Sequence, residues 1–518
     1  MERRKFLKYS GATIAAPFFF QGQWIQTMAN QTAFDVLRSF NPNRKMVLIQ
    51  LDGGNDGLNM VIPISQYDNL ANARRNILID QAQILKLTDE TGLNPAMPEL
   101  TNLYKEGKVQ IVQGVGYPNP NLSHFRSKDI LISASDAKTV INSGWAGRMF
   151  GKEYPTYPSG FPNEMQPHPI ALTLGSTSSS ICQSDLANYS TVLKSLTSTY
   201  SSTTPTVTYP ETPFGNELRF ITNVMEQTEG YLAVIKAAAA KAKNLSTLYP
   251  TSGNSLSDQL KLVANLIAGG LQTQIYVVSL GGWDTHSGQV GETDKLTGAQ
   301  PALLSKLSKA IAAFQDDLKL LNKADEVLGF VFTEFGRRIK SNDSFGTDHG
   351  TTWPAIIFGS KVNPGLVGSN PVIPAAATKS DNLALQNDFR SIYTGFYKQW
   401  FLLDDAQVSQ MLGATFPEIR VVAQSTSNQP IAIDAEVNLK LWPNPVENQA
   451  TISFESDGEL MQIAIYSMTG QLVENHLRQK FPKGKQQLNL SLGHLASGSY
   501  QLVLNRKSGR ESIQMVVK

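Results

Sequence analysis

Cysteine is almost absent from this chain of 518 residues: Cys182 stands alone. A single thiol excludes an intrachain disulfide, even in an oxidising compartment. An excess of charge of one sign is missing too, since 45 Lys and Arg face 43 Asp and Glu for a net charge of +2. With no basic stretch carrying interleaved aromatics, that balance gives no electrostatic case for nucleic acid as a partner. The N-terminal apolar stretch, Tyr9 to Phe20, is weakly apolar and too short to cross a bilayer, so no transmembrane segment is expected in the mature protein.

The length exceeds what one hydrophobic core usually serves, which points to two or more domains. At the N-terminus, Arg3-Arg4-Lys5-Phe6-Leu7-Lys8 precedes the short apolar segment and resembles a twin-arginine export signal. The resemblance implies removal of residues 1–29, with a small-residue site near Thr27-Met28-Ala29, and makes the twin-arginine translocase a partner. That route is associated with proteins that fold before export, so a metal could be loaded in the cytoplasm. The protein is then expected in the periplasm on its way to the cell surface or the medium.

Between residues 44 and 424, short apolar runs alternate with longer helical periodicity, the pattern of an α/β domain with a mostly parallel central sheet flanked by helices. The runs are Val47 to Leu51, Val109 to Val112, Ile275 to Leu280, Val327 to Phe332 and Ala355 to Phe358. Over 299–322, Leu304, Leu307, Ile311, Phe314 and Leu318 fall on one helical face. The Ser/Thr-rich stretch from Ser176 to Pro213 reads as a long loop or partial lid holding Cys182 in a polar setting. Residues 425–436 read as a linker. Beyond it, 437–518 alternates apolar and polar residues at period two, an all-β module with turn signals at Thr469-Gly470 and Ser508-Gly509.

Acids and histidines gather just after the apolar runs: Asp52 in LDGGND, Asp284 and His286 in GGWDTH, Glu334 in TEFGRR, and Asp348-His349 in GTDHG. Ligands of open α/β sheets bind beyond the carboxyl ends of the strands, and carboxylates with imidazoles make a mixed N/O site for a divalent cation such as zinc, calcium, magnesium or manganese. Asp348 follows Glu334 by a long interval rather than ending a strand directly, so either acid could be the ligand. Trp283 and Trp353 flank the clusters and either wall a pocket or pack in the core.

The segments LIQLDGGNDGLNMVIP, LSHFRSKD, GGWDTH, TEFGRR, GTDHG and NDFRSIY resemble the exported family of domain of unknown function 1501, over roughly residues 44–405. In outline that family is similar to the alkaline phosphatase and sulfatase superfamily, which implies a metal-dependent hydrolase of phosphate or sulfate esters, on polysaccharides or other extracellular substrates. The other reading open to the same fold is a non-catalytic cell-surface binding protein. Carried onto this sequence, the resemblance makes Asp52 and Asp348-His349 ligands of one metal, with Asp284 and His286 serving a second. Ser123, beside His124, becomes the nucleophile, and Arg337 or Arg126 clamps the developing oxyanion. No histidine after His349 precedes the last module, and Cys182 lacks the proline and arginine of a sulfatase nucleophile motif. In the last module, Trp442-Pro443-Asn444-Pro445, Tyr466 to Gln471, Leu495 to Tyr500 and the terminal Met515-Val516-Val517-Lys518 resemble the C-terminal sorting domain of type IX secretion, which implies that secretion machinery as a partner.

Overall fold

A computed structural model of the chain describes residues 18–20, 23–25, 44–164, 166–185, 187–196, 212, 228–423, 439–458, 460–467, 472–506 and 509–518. The chain divides into a unit spanning Pro42–Gln424 and another that contains Ser425–Lys518. Most of the export segment, the linker 425–436 and the turns at Thr469-Gly470 and Ser508 lie outside the described residues.

The larger unit is built on one sheet. Its strands are β1 (Lys45–Asp52), β2 (Val109–Gly116), β3 (Ala171–Leu174), β4 (Ser190–Leu193), β5 (Ile275–Gly281), β6 (Val327–Thr333), β9 (Trp353–Phe358) and β10 (Gly365–Val367), while β7 (Arg337–Ser341) and β8 (Thr347–His349) form a separate hairpin. The order across the sheet is β10-β2-β9-β6-β1-β5-β3-β4, with the short strand Asn387–Asp388 added beside β2. All five apolar runs are strands of this sheet. Central strands buried on both faces read as continuous apolar runs rather than alternation, and Met46 to Ile49 of β1 are fully buried.

β1 pairs in parallel with β5 and β6, in registers that bring Asp52 opposite Gly281 and Leu51 opposite Thr333. Three strand ends therefore finish level with one another. β9 alone runs antiparallel, to both β6 and β2. Its amino end thus lies at the edge where its neighbours' carboxyl ends emerge, and the residues just before it arrive there as well.

Helix α4 (Ala299–Leu320) follows the expected periodicity, burying Leu304, Leu307, Ala310, Ile311, Phe314 and Leu318 in a core shared with α3 (Ser255–Ala268) and α1 (Pro98–Lys105). The Ser176 to Pro213 stretch departs from its reading as a loop with a polar cysteine. β4 extends the sheet in parallel beside β3, and Cys182 is fully buried, which pushes its thiol pKa up. A short strand of Ser, Thr, Val and Leu carries too little alternation to be told from loop.

The smaller unit has strands β11 (Lys440–Trp442), β12 (Gln449–Asp457), β13 (Leu460–Ser467), β14 (Leu472–Lys480), β15 (Lys483–Ser491), β16 (Gly498–Arg506) and β17 (Gly509–Val517). They form antiparallel sheets in the orders β11-β12-β15 and β14-β13-β16-β17. Ile452 and Phe454 from the first sheet share a core with Ile463, Ile465, Leu502 and Met515 from the second. This is a β-sandwich, consistent with the period-two alternation.

One buried ion pair underlies the sheet edge. Arg74 and Asp56 are 0% and 1% exposed, with Nη1 2.7 Å from Oδ2. The guanidinium also donates to the carbonyls of Arg338 and Ile339 on β7. Removing one partner of such a pair strands a charge in the interior. Asp56→Ala is therefore expected to lower the unfolding free energy by about 3–5 kcal/mol, measured by urea denaturation; a loss below about 1 kcal/mol would mean that the pair is dispensable.

Candidate functional site

The loop after β1 begins with two glycines that the geometry requires. A Cβ on Gly53 would lie 2.3 Å from the Asp284 nitrogen, and one on Gly54 2.3 Å from the Phe335 ring; both have positive φ, +129° and +79°. This lets the turn pack between the β5 and β6 loops. Arg337, 1% exposed, locks all of them. It donates to the carbonyls of Gly53, Gly54, Trp283 and Thr347 and to Asp284 Oδ1 at 2.7 Å. A guanidinium has five N–H groups. Nε and Nη1 each serve one acceptor and Nη2 serves three, so every nitrogen of this buried group is engaged and Arg337 is a bracket for the loops, whereas an oxyanion clamp would need donors facing the cleft. Arg126 donates to the carbonyls of Asp136, Ala137 and Thr139, holding a neighbouring loop.

Three imidazoles converge on Asp284. His124 opens helix α2 (His124–Ser133), which follows β2; His286 lies in the loop after β5; His349 ends β8, in register with Arg337. The β7/β8 hairpin resolves the interval between Glu334 and Asp348, folding His349 back beside the end of β6. His124 Nε2 lies 3.5 Å from Asp284 Oδ2, and His286 Nε2 and His349 Nε2 lie 3.1 and 3.2 Å from Oδ1. The last two nitrogens are 2.9 Å apart. His124, Asp284 and His349 each offer a ligand atom within 4.8 Å of the others, a group able to hold a metal ion.

The opposite ring nitrogens all meet oxygen. His124 Nδ1 is 2.8 Å from Glu334 Oε1, His286 Nδ1 is 3.2 Å from Asp348 Oδ1, and His349 Nδ1 is 2.8 Å from the Leu122 carbonyl. Carbonyl and carboxylate oxygens only accept, so each Nδ1 carries a hydrogen; a ring that is neutral then turns the lone pair of its Nε2 inward, and a protonated one donates from Nε2 to Asp284. Facing lone pairs at 2.9 Å repel unless a proton or a cation lies between them. Donor atoms about 2.0–2.1 Å from a shared tetrahedral centre are about 3.3 Å apart. The 2.9–3.5 Å separations around Asp284 fit that spacing.

Glu334 and Asp348 thus take outer positions, each behind an imidazole, rather than the ligand positions expected of them. Glu334 is 3% exposed and accepts from His124, from the Gly53 amide and from the Thr333 hydroxyl. Asp348 lies on the outer side of His286. Asp52 ends β1 as expected, and its carbonyl accepts from Trp283, yet its carboxylate is turned to Lys128 Nζ at 2.6 Å and to Gln50. Ser123 is the N-cap residue of α2 but makes no side-chain capping bond, and it is exposed. Trp283 and Trp353 are buried and pack in the core.

The sequence reading placed His124 beside the nucleophile and missed Gln289 altogether. His124 stands among the inward-facing rings rather than beside them. Gln289 is fully buried: its Oε1 accepts from Thr285 and Thr347, and its Nε2 donates to Asp56 and Gln300. Thr285 separates Asp284 from His286, and Thr347 precedes Asp348, so one amide holds two loops of the site. No sequence signal separates such a glutamine from an exposed one.

Residues 236–393 match the family model described as protein of unknown function (DUF1501), and residues 440–518 match the secretion system C-terminal sorting domain. The chain carries a DUF1501 region and a type IX sorting domain. This second module marks it for the secretion machinery and for export to the cell surface or the medium. No curated protein is matched. Among solved structures, an alkaline phosphatase superfamily protein from Vibrio parahaemolyticus is 9% identical, with 83% of this chain and 84% of that one covered and a TM-score of 0.32. The phosphonate monoester hydrolase of Silicibacter pomeroyi is 9% identical, with 91% and 89% covered and a TM-score of 0.29. The lipoteichoic acid synthase of Listeria monocytogenes is 8% identical, with 63% and 66% covered and a TM-score of 0.26. Among the described residues, no helix is long and apolar enough to cross a membrane.

Burial lowers the His349 pKa below the usual imidazole value, outweighing the Leu122 carbonyl and Asp284, while Arg337 and His124 push it the same way. Asp284 is partly desolvated, which opposes ionisation, but hydrogen bonds from Arg337 and His349 hold its pKa below the usual carboxylate range. In metal-free protein, NMR titration of the His349 ring should give a midpoint below about 6.5. The unfolded chain then binds the proton more readily than the folded one. This residue's contribution should therefore make stability fall as pH drops through about 6.5 towards the folded midpoint, and level off below it. A midpoint above about 6.5 would reverse that sign.

Proposed function

We propose that the larger unit, Pro42–Gln424, is an exported, metal-dependent hydrolase of phosphate or sulfate esters. The observation that carries this reading is the convergence of three Nε2 atoms on the Asp284 carboxylate, with every Nδ1 held by oxygen. His124, Asp284 and His349 hold a divalent cation, with His286 beside them. Glu334, Asp348 and the Leu122 carbonyl fix the ring tautomers, the role that outer hydrogen-bond partners have in metal sites. Bound there, a divalent cation would supply Lewis-acid polarisation of the phosphoryl or sulfuryl oxygen. Ser123, exposed and without a side-chain capping bond, is the nucleophile in this reading: its oxygen bonds to phosphorus or sulfur as the ester bond to the alcohol breaks, its proton ends on the departing alcohol, and water then releases the phosphate or sulfate and restores the serine. Asp52 as a direct ligand belongs to this proposal only if its carboxylate leaves Lys128.

The alternative, a surface binding protein that keeps the fold without turnover, draws on the commitment of Arg337 and Arg126 to carbonyl groups. Esters of phosphate and sulfate, assayed with and without chelator, separate the two readings. Asp284→Asn and His349→Ala should each lower bound zinc or manganese at least tenfold by elemental analysis and abolish chelator-sensitive hydrolysis. Ser123→Ala should keep the metal and lose turnover. Metal retained in both ligand variants would overturn the centre, and metal without hydrolysis of any ester would favour the binding protein.

Transit is proposed to begin at the twin-arginine translocase and to end with the sorting domain. Deletion from Ala435 onward should leave a folded, metal-binding protein in the periplasm, detected by fractionation; arrival at the cell surface without the module would contradict that role.

A further inference from the structure

Asp52 has a second feature that the metal group leaves unused. Lys128 and Gln50 both bond to its Oδ1, while among the described residues Oδ2 has no hydrogen-bond donor. The carboxylate borders a cavity of about 230 Å³, lined also by Lys128, Thr177, Ser178, Ser180 and Ser279. Lys128 follows His124 by four positions on α2, so the two side chains share one helical face about one turn apart. On the other side, the Asp52 carbonyl accepts from the amide of Trp283, the residue before Asp284. The cavity is thus joined to the His/Asp group by two elements.

Its chemistry narrows the occupant. A free carboxylate oxygen wants a hydrogen-bond donor and repels a phosphate or sulfate group. An ammonium donor is disfavoured by the Lys128 charge 2.6 Å from the same carboxylate. A neutral hydroxyl meets both conditions. Serine and threonine hydroxyls can each donate and accept, and Ile132, Leu174, Val277 and Val278 complete the lining, a mixture that complements a ring offering both hydroxyls and C–H faces. The volume is below the roughly 300–1,000 Å³ of drug-sized pockets and suits one ring rather than an oligomer.

We propose that this cavity binds a single neutral, polyhydroxylated sugar ring, with Asp52 Oδ2 accepting from a ring hydroxyl, and so presents the alcohol part of the ester to the His/Asp group. As a statement about substrate the inference rests on the hydrolase reading; as a statement about binding it stands separately. The test uses the full chain in chelator, with a panel of methyl pyranosides (gluco, galacto, manno, xylo, fuco and N-acetylglucosamine) observed by saturation-transfer NMR. Benzyl alcohol and inorganic sulfate serve as comparison probes. At least one glycoside should bind in preference to both comparison probes, and Asp52→Ala and Ser178→Trp should each weaken it at least tenfold. Ser178→Trp fills the cavity from an exposed loop and decides the matter if Asp52→Ala does not fold. No binding by any glycoside, or binding unchanged in the folded variants, would overturn the proposal. Because the chelator removes the cation, this outcome is independent of whether any ester is hydrolysed.

Discussion

Mutual repulsion among the donor atoms around Asp284 is the constraint on which the site depends. Three imidazole nitrogens and a carboxylate do not approach one another unaided; they are pressed together by groups behind them. Glu334, Asp348 and the Leu122 carbonyl hold the rings from outside, Arg337 holds the carboxylate, and Gln289 holds the loops that carry two of the rings. A buried network is favourable only when its members are satisfied, and here the amide of Gln289 uses both acceptor positions and both hydrogens. Groups of the protein itself thus fix the donor atoms, which is the preorganisation that a binding centre requires.

The sheet explains how such distant residues meet. Parallel strands deliver their carboxyl ends to one edge, and the single antiparallel strand β9 delivers its amino end to the same place. Without that reversal, His349 would leave from the opposite edge. The hairpin before it then turns the ring toward Asp284.

Much of this was legible from residue order. The apolar runs located the strands, the periodicity over 299–322 located α4, and acids or histidines after the runs marked the edge. Roles within the edge were not legible, because they depend on which way a side chain turns after a tight loop. Asp52 and Asp284 both stand at the ends of central strands beside paired glycines, yet one carboxylate faces a lysine from α2 and the other the imidazoles. Arg337 looked like an anion clamp because its burial cannot be seen in sequence. Cys182 looked polar because serines crowd the sequence around it, whereas the fold buries it completely.

The three inward rings sit at positions 124, 286 and 349, on segments separated by long stretches of chain. An ion shared among them would act as a covalent-like cross-link, closing large loops and removing freedom from the unfolded ensemble much as a disulfide does. With only one cysteine, this chain has no disulfide of its own to play that part. A protein in an extracellular setting would then owe its persistence to the supply of an ion there, and scarcity of that ion would be felt as fragility as well as idleness.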